Sequence, residues 1–178
     1  MSCCPACGGA CPALGGGLSN ERIYKCETEG IVSREYDVAT LGLDAEELGA
    51  AHTALQKAGL VDEGWSFEND GCGVLTVRNR WVERIEPAAT EYQLLLEQLR
   101  DLARAGWALG DLHSGNIFLT ARGWRVIDGK LAGATRDLAA ANWRLWTKVK
   151  WEKSALHRQM LEDYRFDLWG AEDSVRGI

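Results

Sequence analysis

Polar and apolar residues alternate over residues 22–26 (Arg-Ile-Tyr-Lys-Cys) and again over residues 31–36 (Ile-Val-Ser-Arg-Glu-Tyr), with a polar stretch at residues 27–30 between them. That pattern predicts two short strands joined by a turn. Leu48, Ala51, Leu55 and Ala58 then recur at helical spacing, behind Asp44 as a cap and ahead of Gly59 as a stop. Residues 65–68 and 72–77 flank Asn69-Asp70-Gly71 and predict a second hairpin, with Cys72 in its core. After Pro87, residues 90–105 carry Leu95, Leu99 and Leu102 on one helical face, widened by Leu94 and Leu96, and stop at Gly106. Such a helix should be largely buried.

Residues 107–119 and 124–127 read as short strands flanking a loop, with a turn at residues 121–123. From Arg136 onward the spacing is helical, through Trp143, Leu145, Trp146 and Val149, then Leu156, Met160, Leu161 and Tyr164. A strand-rich first part with one helix, followed by a helical second part with one small hairpin, predicts an α+β fold of two lobes. The expected organisation is a Cys-rich tail at 1–13, a first lobe at 14–86 and a second at 87–178.

Composition narrows the class. The 178 residues hold 20 Lys and Arg against 26 Asp and Glu, a net charge of −6, which excludes a generic binder of nucleic acid. No apolar run is long enough to span a membrane and the first residues lack the layout of a secretory signal, so the expected location is cytoplasmic. The six cysteines crowd toward one end, at 3, 4, 7, 11, 26 and 72, unlike a disulfide framework. Cys4-Pro-Ala-Cys7, completed by Cys11 and by Cys3 or Cys26, has the look of a zinc (Zn2+) knuckle, but no second pair of that spacing follows, and a thiol-bearing tail is the preferred reading. Most of the eight tryptophans are expected in the core or packing the lobes. Trp143, Trp146 and Trp151 are expected to pack the last helices, or with Lys148, Lys150 and Lys153 to form a docking face for a partner or an anionic surface.

The candidate chemistry lies in Gly110-Asp-Leu-His-Ser-Gly-Asn116, followed by Arg125-Val-Ile-Asp128. Asp111 and Asn116 on one tight loop, with Asp128 at the end of an apolar strand, supply a carboxylate to orient an acceptor hydroxyl and oxygen ligands for a divalent cation. Phosphoryl transfer from a nucleotide needs that set. The structural alternatives are turn-forming roles for Asp111 and Asn116, a helix cap for Asp128, and for His113 a brace within the loop.

This stretch resembles the catalytic loop and metal-binding Asp of the protein-kinase-like superfamily. Asp111-Leu-His113, in place of the Asp-Leu-Lys of ordinary protein kinases, is similar to choline and aminoglycoside phosphotransferases and to lipopolysaccharide core kinases. Gly16-Gly-Leu-Ser-Asn20 ahead of residues 23–26 resembles the phosphate-covering loop and following strand of the choline kinase group. The resemblance, over residues 14–128, implies a compact kinase-like fold: a small antiparallel nucleotide-binding lobe with one helix and a reduced helical catalytic lobe. It implies Asp111 as the group orienting the acceptor hydroxyl, Asn116 and Asp128 as Mg2+ ligands, and Gly16, Gly17, Ser19 and Asn20 over the ATP phosphates. Arg34 would stand where most kinases place a Lys, paired with Glu47 or Glu46. Lys25 is the rival for that role, but strand alternation is expected to point it away.

The implied function is ATP- and Mg2+-dependent transfer of a γ-phosphate to a hydroxyl, with a protein Ser or Thr or a glycolipid as acceptor. Leu109 stands where the family usually has His, and Gly129-Lys130 follow Asp128 without the usual aromatic. These departures favour the alternative of a regulatory module that holds a nucleotide, or none, and transfers nothing; a small-molecule kinase is a further alternative.

Overall fold

The computed structural model describes residues 8–9, 22–37, 45–61, 66–69, 74–127 and 133–175. Its elements are β1 (Arg22–Cys26), β2 (Ile31–Asp37), α1 (Ala45–Lys57), β3 (Ser66–Asn69), β4 (Val74–Arg80), α2 (Ala89–Arg104), β5 (Ala108–Leu109), β6 (Ile117–Thr120), β7 (Gly123–Val126), β8 (Ala134–Thr135), α3 (Leu138–Trp151) and α4 (Ala155–Val175). This is the α+β class expected from the sequence. The chain divides into two compact units, residues 1–49 with 62–82 and residues 50–61 with 83–178.

The first unit is built on an antiparallel sheet of order β1-β2-β4-β3. Its alternation buries Tyr24, Cys26 and Ser33 on one face and Val32, Val77 and Asn79 on the other. Register corrects one expectation. Ile23 lies opposite Arg34 and Lys25 opposite Val32, so Lys25 and Arg34 share a face. Asn69, expected in the turn, is the last residue of β3.

Residues 50–61 and 83–86, expected with the first lobe, group with the second unit. The reason is polar as well as apolar. Helix α1 closes on Gly59 at φ +70°, where Leu60 N–H reaches Leu55 C=O at 2.9 Å. The carbonyls exposed by that turn are taken up by later residues: Ala58 by Gln98 Nε2 at 3.0 Å, Gly59 by Arg125 at 3.0 Å and Leu60 by Val126 N–H at 2.9 Å.

The second unit packs α2, α3 and α4 with two small hairpins, β6-β7 and β5-β8. Helix α2 buries Tyr92, Leu95, Leu99 and Leu102, each Leu contributing about 1.5–3 kcal/mol by the usual value of a buried aliphatic side chain. Leu94, expected to widen this face, is 64% exposed. The row that wins is Tyr92-Leu95-Leu99-Leu102, because Tyr92 packs on Trp124 at 5.2 Å and edge-on to His157 at 5.6 Å. The β5-β8 pairing, Ala108 with Thr135 and Leu109 with Ala134, is too short to leave a periodic signal in the sequence.

The tryptophans depart from expectation. Among the described residues only Trp107 and Trp124 are buried, while Trp143 is 67% and Trp151 82% exposed. Trp143 stacks on Trp146 at 5.1 Å and Lys150 lies 3.3 Å from the Trp146 ring, so these aromatics cover each other outside the core. The seam between α3 and α4 is filled by Ala141, Leu145, Leu161, Tyr164 and Leu168. No helix among the described residues is long and apolar enough to cross a membrane.

Candidate functional site

Helix α2 ends on Gly106 at φ +82°, and Trp107 N–H returns to Leu102 C=O at 3.1 Å, turning the chain into the buried strand β5. Leu109 N–H donates to Tyr164 Oη at 3.3 Å, and burial pushes the Tyr164 phenol far above its ordinary range. Gly110 N–H then reaches Gly133 C=O at 3.2 Å. A Cβ on Gly110 would meet Arg144 Cδ at 3.0 Å and Ala141 Cα at 3.3 Å, so α3 lies directly on the backbone at the entry to the loop. On its other side Gly133, at φ +71°, sits where a Cβ would come within 3.3 Å of Asp111 N.

Past Asp111 the loop is held by groups from distant parts of the second unit. Leu112 is fully buried, and its carbonyl accepts a 2.8 Å hydrogen bond from His157 Nε2, which fixes that nitrogen as the protonated one. Burial of His157 lowers its pKa, against the raising effect of the Leu112 carbonyl and the Glu152 charge. Glu152, at the C-terminal end of α3, accepts Ser114 N–H at 3.0 Å and Ser154 N–H at 3.1 Å, with Ser114 Oγ at 3.3 Å. Burial raises its pKa, but the Ser154 and Ser114 amides and the nearby His157 outweigh it and hold the carboxyl below its ordinary value. His113 Nδ1 accepts Gly115 N–H at 3.0 Å, the bracing role weighed for it, and Arg84 donates to Ser114 C=O at 3.2 Å.

Asp111 and Asn116 are brought together. Asn116 Nδ2 donates to Asp111 C=O at 3.0 Å, and Asn116 C=O accepts Ile127 N–H at 2.9 Å, tying the end of the β7 arm to the loop. With its amide nitrogen committed, the nearly buried Asn116 presents Oδ1 without a donor among the described residues. Asp111 is about a third exposed, and its Oδ1 is buried with no hydrogen bond of good geometry. The Lys148 ammonium stands 2.7 Å from that oxygen as an ion pair, and His113 Nε2 lies 3.9 Å away.

The other candidates divide. Asp128 lies outside the described residues, as do Gly16, Gly17, Ser19, Asn20 and the cysteines 3, 4, 7, 11 and 72. Arg34, in the first unit, donates to Asn79 Oδ1 at 2.8 Å. Glu47 is exposed in the first turn of α1. Lys25 has its ammonium 4.1 Å from the Trp81 ring. Cys26 is buried in the sheet, and no group of three or more His, Cys, Asp or Glu suited to a metal occurs among the described residues.

Sequence reasoning placed Lys148 only in a candidate docking face, not beside Asp111, and missed Glu152 and His157. One signal for Lys148 was present: it continues the row Ala141-Leu145-Lys148, whose first two members are buried, so its stem follows the inward face of α3. Glu152 and His157 had a weaker one, because Glu152-Lys153-Ser154 interrupts two helices. Ser154 caps the second helix, its Oγ accepting His157 N–H at 3.3 Å.

No family model matches the chain, and no curated protein does. A solved structure described as "WaaP in complex with acyl carrier protein" is similar to this chain, with a TM-score of 0.48 and 16% identity over 86% of this chain and 79% of that one.

Proposed function

We propose that the chain is an ATP- and Mg2+-dependent phosphotransferase that moves a γ-phosphate to an acceptor hydroxyl. The observation that carries this reading is the 3.0 Å bond from Asn116 Nδ2 to the Asp111 carbonyl, which joins a carboxylate and an amide oxygen in one braced loop. Bound Mg2+ would offset charge on the phosphate oxygens, and Asn116 with Asp128 are the residues to hold it. The donor set fits a hard cation, since the Asn116 oxygen has no donor among the described residues and the ligands are oxygens.

Asp111 orients the acceptor hydroxyl and takes its proton. The acceptor oxygen bonds to the γ-phosphorus as the bond from phosphorus to the β–γ bridging oxygen breaks, and that electron pair leaves on ADP. Arg34 and the segment Gly16, Gly17, Ser19 and Asn20 are assigned to the remaining phosphates, Glu47 to supporting Arg34, and a protein Ser or Thr or a glycolipid to the acceptor.

The test is transfer of radiolabelled γ-phosphate by the wild type and by Asp111→Ala. Loss of a positioned general base is expected to lower the rate by about 10²–10⁴-fold. The reading fails if the wild type binds ATP, seen as a rise in melting temperature with ATP and Mg2+, yet labels neither itself nor any acceptor. One observation favours that second reading, a nucleotide-holding module without transfer: Lys148 already neutralises Asp111 at 2.7 Å.

A further inference from the structure

Beside the loop lies a cleft of about 540 Å³ lined by His113, Ser114, Thr147, Lys148, Trp151, Glu152 and Lys153. Its volume falls within the range of about 300–1,000 Å³ typical of small-molecule sites. Its position links it to Asp111 through shared residues: Lys148 lines the cleft and touches Asp111 Oδ1 at 2.7 Å, and His113 lines it 3.9 Å from the same oxygen.

The charge in this cleft is one-sided in effect. Glu152 is the acidic residue of the lining, but its two oxygens are turned into the loop, accepting from Ser114 N–H and Oγ and from Ser154 N–H. Lys153 has no ion-pair or hydrogen-bond partner among the described residues. Among the described residues Lys148 has only the Asp111 pair, and each of those side chains is about a third exposed. The carboxylate oxygen is buried but the Lys148 side chain is about a third exposed, so its ammonium is open to an anion in the cleft as well as to Asp111. The exposed indole of Trp151 supplies an apolar wall at the rim.

We propose that this cleft is the acceptor site and takes a hydroxyl compound that carries an anionic group, a phosphate or a carboxylate, held between Lys153 and Lys148. The proposal rests on the phosphotransferase reading and names the class of its acceptor. An anion seated there keeps its own hydroxyl beside Asp111 and moves Lys148 off the carboxylate, so arrival of the acceptor frees the base that takes the hydroxyl proton. The transfer step is otherwise the one already written.

Glycerol 3-phosphate is a suitable probe, with glycerol as its uncharged control and inorganic phosphate as the anion without a hydroxyl. Titration of the full chain, followed by amide and indole N–H resonances, is expected to move Ser114 and Trp151 saturably with glycerol 3-phosphate and with phosphate, and not with glycerol. Lys153→Ala should weaken that binding at least 5-fold, about 1 kcal/mol. Lys150→Ala, whose ammonium lies on the Trp146 ring, should match the wild type in the same titration. With ATP and Mg2+ present, transfer to glycerol 3-phosphate should exceed transfer to glycerol.

Absence of any shift at Ser114 and Trp151, or equal binding by Lys153→Ala, overturns the assignment while ATP binding and self-labelling can still uphold the phosphotransferase reading. Phosphate binding in the cleft by a chain that shows no thermal shift with ATP and Mg2+ overturns the acceptor role along with that reading. Transfer to glycerol as fast as to glycerol 3-phosphate overturns the anionic class alone.

Discussion

The two regions expected to share one reaction are held in different ways. The loop from Gly110 to Asn116 is fixed by nearly buried polar side chains, Asn116, Glu152 and His157, each bonded to loop backbone. Arg34, on an inner strand of the first unit, is held by strand register and, among the described residues, one side-chain bond to Asn79. The loop's shape therefore depends on groups that must stay in the right protonation state, whereas the strand's shape depends on backbone pairing that no single side chain controls. A buried network of this kind is costly to break because each removal strands its partners.

Glu152→Ala is the sharpest way to break the contrast and carries the largest expected effect. It leaves the Ser114 and Ser154 amides without their acceptor and removes the charge beside His157. A loss of about 2–4 kcal/mol is expected, from the cost of leaving two donors without their acceptor. Chemical denaturation measures it, and the same variant should lose phosphotransfer. Glu152→Gln, which keeps one acceptor oxygen, should recover part of the stability. If Glu152→Ala unfolds at the wild-type midpoint, the loop is held by something other than this carboxylate.

Acid should weaken the same region next. His157 has its pKa lowered by burial, so the unfolded chain, near 6.5, takes up protons before the folded one does. Its contribution is full above that value and is lost as pH falls from it through the folded-state pKa. His52, also lowered by burial, acts in the same direction. Glu152, held below its ordinary 4.5, adds stability that is present above 4.5 and lost as pH falls through its folded value. All three signs agree: stability should decline on acidification from about pH 6.5, the ordinary His value. His157→Gln, which retains a donor for the Leu112 carbonyl, should flatten the upper part of that decline when unfolding midpoints are measured from pH 7.5 to 4. An unchanged slope in His157→Gln with a changed one in His52→Gln would move the effect to α1.

Much of this was legible because it rests on local pattern. Gly59 and Gly106 end helices, residues 22–26 and 31–36 alternate as strands do, and Leu95, Leu99 and Leu102 mark the buried stripe of α2. Asp111 and Asn116 were legible as a pair because both lie within one loop. Lys148, Glu152 and His157 reach that loop from 32 or more positions away, and nothing in their immediate neighbours specifies where they end up. Leu94 and Trp143 show the converse failure. Hydrophobicity alone marked both for burial, yet each lies on the side of its helix that has no neighbour in the second unit's core.

The smallest effects are expected in the first unit, and there they decide between two cations. Arg34→Ala removes one charged hydrogen bond to Asn79, for which about 1 kcal/mol or somewhat more is ordinary, and the four-stranded register should survive it. Lys25→Ala removes a contact between an ammonium and the Trp81 ring, worth about 0.5–1 kcal/mol at a partly exposed site. Because the two side chains share one sheet face, alternation cannot choose between them, and affinity for ATP with Mg2+ must. If Arg34 holds phosphate, Arg34→Ala should weaken nucleotide binding by about 10-fold, the equivalent of about 1.4 kcal/mol, and Lys25→Ala should change it less than 2-fold. Arg34→Lys should restore only part, since a single ammonium cannot reproduce the guanidinium's two-pronged contact. The reverse order in a calorimetric titration would transfer the role to Lys25 and leave Arg34 as a strand residue tied to Asn79.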